Sequence, residues 1–86
     1  MVRAQLDGAD LTDAHLPGVD LTDADLSNAN LRLADLCGAD LEDTNLEGAN
    51  LSEADLEGAT RVTVEELEEQ ARSLEAATMP DGTEHD

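Results

Sequence analysis

Three kinds of side chain in this sequence have the intrinsic chemistry for a reactive or ligating site: one thiol, Cys37, two imidazoles, His15 and His85, and 22 carboxylates. A thiol nucleophile needs a base beside it and a group that orients the base. A calcium site needs six to eight oxygens converging on one point, and the sequence has neither an EF-hand loop nor the glycine-rich nonapeptide of calcium-binding β-rolls. What these residues can do therefore depends on the elements that bring them together.

Composition narrows the field first. The chain has 86 residues, with 22 acidic against 4 basic side chains and a formal charge of -18, which suits one small domain whose charged partners are basic. There is no Phe, Trp or Tyr to stack on bases, sugars or aromatic cofactors. Arg3, Arg32, Arg61 and Arg72 form no patch to neutralise phosphates, so direct nucleic-acid binding is not expected. A single cysteine allows no intrachain disulfide, and no apolar run approaches a signal or membrane-spanning segment, from which a soluble, cytoplasmic protein without a membrane partner is expected. So acidic and aromatic-free a composition is usual for a disordered chain. Periodicity overrules that reading.

In the stretch ADLEDTNLEGANLSEADLEGA, residues 39–59, leucines recur at every fifth position. A step of five turns about 140° around an α-helix and makes no face. In a strand it alternates sides. The spacing works when the chain turns a corner once per repeat and brings each leucine back inside, as in a solenoid. Eleven leucines follow one another in this way from Leu6 to Leu56. Two residues before each stands Ala, replaced only by Val19 and Thr44, and between them stands mostly Asp or Asn, which suits corners by hydrogen-bonding neighbouring backbone.

This A-(D/N)-L-x-x pattern over residues 4–59 resembles the pentapeptide-repeat family. The resemblance implies an all-β solenoid: a right-handed quadrilateral parallel β-helix with four pentapeptides per coil, here a little under three coils. Leucine and the preceding small residue would face inward. Residues 20 apart would stack, as in Leu6/Leu26/Leu46, until Arg61 takes a leucine's place and ends the solenoid.

After residue 60 the pattern changes. Thr63 and Glu66 form a capping-box signature, and Val64, Leu67, Ala71 and Leu74 make an apolar stripe, predicting a helix from about Val64 to about Ala77 with a supporting Glu68–Arg72 pair. The helix is expected to cap the open coil. The resulting division is a β-helix over 1–60, a capping helix over 61–79 and a flexible acidic tail over 80–86. The opposite end shows no capping segment. An open edge invites pairing, so a homodimer through the first coil or membership in a longer protein is expected.

In the stacking that the resemblance implies, Asp20, Asp23, Asp40, Glu42 and Asp43 share one wall, a candidate acidic interaction face as well as a solubilising one. Arg32 and the exposed Leu33 form a candidate contact patch. His15 falls in line with Asp35 and Asp55, and Cys37 near Pro17 and Glu57, on a flat wall where no pocket for catalysis is expected. Gly18, Gly38 and Gly58 stack at corners. No catalytic, cofactor or metal residues are assigned. The expected function is a non-enzymatic structural or protein-interaction module with a basic protein partner. One alternative, implied by resemblance to acidic family members that imitate DNA, is an inhibitor of a DNA-binding enzyme such as DNA gyrase; the other is a targeting or scaffold domain of a larger protein.

Overall fold

The structure is a computed structural model and describes residues 1–85. Its backbone unit is the five-residue turn. In each repeat the N–H of the small residue donates to the carbonyl of the leucine three residues before it, for example Ala9 to Leu6 at 3.0 Å and Ala34 to Leu31 at 3.0 Å. The third residue of each such turn has φ near +60° to +75°, as in Gly8, Asp13, Asn28, Leu33 and Gly48. A left-handed residue in third place is the mark of a type II turn and explains why Gly, Asn and Asp dominate there.

The residue before each leucine is extended and pairs with the residue 20 positions on, in parallel single-residue bridges. Four ladders result: Gln5/Asp25/Asn45, Asp10/Asn30/Asn50, His15/Asp35/Asp55 and Asp20/Asp40/Thr60. One bridge every five residues and a 20-residue register make a four-sided coil. Side-chain oxygens lock the corners, since Oδ1 of Asp10, Asp20, Asp25, Asn30, Asp35, Asp40, Asn45, Asn50 and Asp55 each accepts the N–H two residues on, at 2.9 to 3.1 Å. The demand for Asp or Asn before leucine is this Asx turn.

Inside, the leucines and alanines of the second and third coils are buried, with Leu31, Leu51 and Leu56 at 0% exposure. At roughly 1.5 to 3 kcal/mol per buried leucine, these columns supply most of the cohesion. Thr44 takes an alanine's place without an orphaned hydroxyl, because Oγ1 donates to the Leu21 carbonyl at 2.8 Å. First-coil Leu6, Leu11 and Leu16 are only partly buried, and Met1 and Val2 are about half exposed.

The chain after residue 60 departs from the sequence expectation. The helix, α1, spans Val64–Gln70 and stops seven residues short of Ala77. Its start is as read: Thr63 accepts the N–H of Glu66 and the Glu66 carboxylate accepts the N–H of Thr63. It ends early because Gln70 joins the coil. The Gln70 carbonyl accepts from Gly48 N–H at 2.8 Å, and its side-chain Oε1 accepts from Leu46 N–H at 2.9 Å, standing in for the backbone acceptor that a regular coil offers there.

Beyond α1 the solenoid resumes, displaced by three residues, through parallel bridges Asn50↔Ser73 and Asp55↔Thr78. Leu74 is thus not a helix residue: with Met79, five residues on, it continues the inner columns, both being buried. Arg61 does not end the solenoid but begins a detour that Leu67, fully buried, fills. Glu68 pairs with His85 at 3.1 Å in place of Arg72, which lies outside α1. The tail is ordered as far as described. It reverses at Met79–Gly82, pairs antiparallel at Thr78↔Glu84, and its His85 backbone exchanges hydrogen bonds with Ala76 and Ala77. Asp86 of the expected flexible tail lies outside the described residues.

Candidate functional site

The repeat sets the surface as well as the core, because each wall is a ladder of outward side chains. On the fourth wall Asp20 bridges Asp40, and Asp23 and Asp43 stand exposed at left-handed corners. The Asp20 carboxyl is held below its ordinary value first by the Thr22 hydroxyl and then by the Thr22 N–H. Sequence stacking missed Arg61 here. Its guanidinium donates to Glu42 at 2.6 Å and lies 3.8 Å from Asp40, so one end of the acidic wall is partly neutralised. On the second wall Arg32 pairs with Glu53 at 3.1 Å, leaving Leu33, 39% exposed, as the apolar part of the contact patch.

The third wall gathers the residues with the richest chemistry. His15 Nδ1 lies 3.3 Å from Asp35 Oδ2. Cys37 comes between Asp35 and Asp55, so that one ligand atom from each of the three lies within 4.8 Å of the others, all partly buried. Stacking by twenties put Cys37 beside Pro17 and Glu57, which its backbone pairing with Gly18 reflects. The thiol instead turns back along its own repeat, where the two-residue spacing Asp35–Cys37 was the available signal. There it faces the Asp35 and Asp55 carboxylates, and hydrogen bonding to them, Asp35 first, favours the protonated thiol and pushes the Cys37 pKa up to about 12. Such a thiol stays protonated at neutral pH and is a poor nucleophile.

At the C-terminal end, a shallow depression lined by Glu68, Ala71, Arg72, Ser73, Leu74 and His85 lies between α1 and the returning tail. It brings an acid, an arginine and an imidazole to one edge.

A four-sided ladder with a leucine core and Asx corners defines a pentapeptide-repeat β-helix. The pentapeptide-repeat family model matches eight copies over residues 4–43 and 29–60, and the chain belongs to that family. Among solved structures it is similar to a pentapeptide repeat protein of the Arabidopsis thaliana thylakoid lumen, at 36% identity and a TM-score of 0.66 over 87% of this chain and 47% of that one. It also resembles HetL of the cyanobacterium Nostoc, a pentapeptide repeat protein involved in heterocyst differentiation regulation, at 32% identity and a TM-score of 0.49 over 99% of this chain and 51% of HetL. A further Nostoc pentapeptide repeat protein is 36% identical, with a TM-score of 0.42 over 90% of this chain and 65% of that one. The chain thus spans about half the length of the first two. No curated protein sequence matches. The coil is the family's right-handed quadrilateral β-helix.

Proposed function

We propose that this chain is a non-enzymatic protein-interaction module whose contact surface is the edge of its first coil, with a second copy of the chain as one partner. The observation that carries the reading is the contrast between the two ends. At the far end α1 and the partial coil that resumes after it lie over the third coil, whose Leu46, Leu51 and Leu56 are 0 to 1% exposed. At the near end Leu6, Leu11 and Leu16 remain partly exposed beside Met1 and Val2. The first-coil bridge residues Gln5, Asp10, His15 and Asp20 each pair on one side alone among the described residues. Such an edge presents both donors and acceptors, and a two-fold axis can match it to itself.

A non-enzymatic role is supported by the protonated Cys37 thiol and by carboxylates spread on flat walls. The acidic surface favours a basic protein partner beside the self-contact. The DNA-imitating alternative has less support. Principal extents of 28 × 23 × 20 Å give no long charged axis comparable to a duplex carrying a charge about every 1.7 Å, and Arg61 interrupts the acidic wall.

Light scattering of the full chain across salt concentrations tests the reading. Because the first coil carries Asp7, Asp10, Asp13 and Asp20, the dimer should strengthen as salt screens like charges over a Debye length of about 10 Å at 0.1 M. Leu11→Asp should leave a folded monomer. A chain that is monomeric at every salt concentration, or a Leu11→Asp variant that still dimerises, overturns the assignment.

A further inference from the structure

We propose that the partial coil after α1 carries a second stacking edge, blocked in cis by residues 83–85, whose partner is the first coil of another copy, seated head to tail. The inference rests on the reading of the first coil as a contact surface.

Inside the solenoid each coil holds the next through a fixed set of backbone groups. In the third coil Glu53 N–H donates to Glu75 O, Ala54 O accepts from Thr78 N–H, and Leu56 N–H donates to Thr78 O, each at 2.8 Å. The corresponding groups one coil on are Ala76 N–H, Ala77 O and Met79 N–H. The tail takes them all. Ala76 N–H donates to His85 O at 2.9 Å, Ala77 O accepts from His85 N–H at 2.7 Å, and Met79 N–H donates to Thr83 O at 2.6 Å. Residues 83–85 therefore stand where a further coil would stand, as a strap that runs antiparallel at Thr78↔Glu84, whereas every coil-to-coil bridge is parallel.

Small contacts hold the strap. Asp81 Oδ1 accepts the Thr83 N–H and hydroxyl and so shapes the reversal, and His85 Nε2 lies 3.1 Å from the Glu68 carboxylate of α1. The blockade is also incomplete. On either side of Ser73, Arg72 O and Leu74 N–H take no backbone bond among the described residues, and both residues line the depression between α1 and the tail.

The first coil is the complement of this edge. Gln5, Asp10, His15 and Asp20 keep their N–H and C=O groups unbonded among the described residues, and in the second coil the same groups of Asp25, Asn30, Asp35 and Asp40 are those that bond back to the coil before. A first coil seated on the freed edge repeats that bonding. Such a contact joins two different surfaces and does not close on itself, so it propagates. A tethered strand competes at an effective concentration on the order of millimolar, which keeps the intact chain from growing. With the strap loose, a head-to-tail row makes nearly one contact per copy where a dimer makes one per pair, and rising protein concentration favours the row.

Light scattering of full-length chains over a range of protein concentration, in salt that screens the acidic ends, tests the strap. His85→Pro deletes the N–H that Ala77 O accepts, and its mass should climb past the dimer without a plateau. Glu68→Ala with Asp81→Ala loosens the strap from its own side and should do the same, which keeps the test open where His85→Pro does not fold. Adding Leu11→Asp to either should return a folded monomer; a dimer there is tail-to-tail pairing and overturns the head-to-tail assignment. Growth in the loosened chains beside an intact chain that is monomeric throughout supports the strap and fails the two-fold dimer. Loosened chains that are folded by circular dichroism yet keep the mass of the intact chain at every concentration overturn the strap and leave the dimer reading to its own test.

Discussion

Leu33 carries a conflict between side chain and backbone. It holds φ at +64° in the corner position that Gly, Asn and Asp fill elsewhere, and it remains 39% exposed. A left-handed conformation costs a branched L-residue roughly 1 to 2 kcal/mol, and nothing buried is gained here. Leu33→Asn, copying Asn28 in the equivalent corner, should therefore stabilise the fold by about 0.5 to 1 kcal/mol in urea unfolding. Gly48 is the opposite case. With φ at +73°, an added Cβ would meet the end of the Asn28 side chain, which can swing aside, so Gly48→Ala should destabilise by about 1 to 2 kcal/mol, the cost of a left-handed L-residue. Loss of partner binding in Leu33→Asn, with stability raised, would mark the strained leucine as a contact residue.

The α1 detour works as an element because Gln70 offers two acceptors to the coil beneath it. Gln70→Ala keeps the helix but leaves Leu46 N–H without its acceptor, which should cost about 1 to 3 kcal/mol. Thr63→Ala removes the reciprocal cap at a cost of about 1 kcal/mol. Leu67, with no exposed surface, plugs the gap made by the detour, and Leu67→Ala should cost about 2 to 5 kcal/mol. Amide hydrogen exchange locates these losses. They should deprotect Leu46, Gly48 and Leu51 before the second coil, since each coil of a solenoid touches only its neighbours.

Across the whole molecule, 22 acids against 4 bases make self-repulsion a general destabilising force. Added salt should raise the thermal midpoint at pH 7, the reverse of a protein held by surface ion pairs. Acid brings two opposed effects. Protonation first relieves repulsion. Asp10, Asp20, Asp25 and Asp81, however, are held below their ordinary 3.8, foremost by side-chain hydrogen bonds from Thr12, Thr22, Ser27 and Thr83. A lowered folded-state pKa contributes stability that is fully present above 3.8 and lost as pH falls through the lower folded values. Stability should thus pass through a maximum on acidification and then collapse, and Thr22→Val should move the collapse to higher pH, as measured by circular dichroism during acid titration.

The pentad by itself determined the coil: Leu inward, Ala behind it, Asp or Asn at the corner and a turn at every fifth residue are all local demands, readable one repeat at a time. It also determined the capping box at Thr63 and Glu66 and the acidic walls. Only the tertiary structure decided how the last coil closes. The helical stripe Val64, Leu67, Ala71, Leu74 and the solenoid spacing Leu74, Met79 overlap in sequence, and the unpaired ladder edges of the third coil favour coil over helix from Ser73 onward. The same is true of Arg61 over Glu42 and of Cys37 between two aspartates. A periodic sequence fixes which residues stack, whereas the direction a long or rotatable side chain takes on an open wall depends on charges that arrive from other coils.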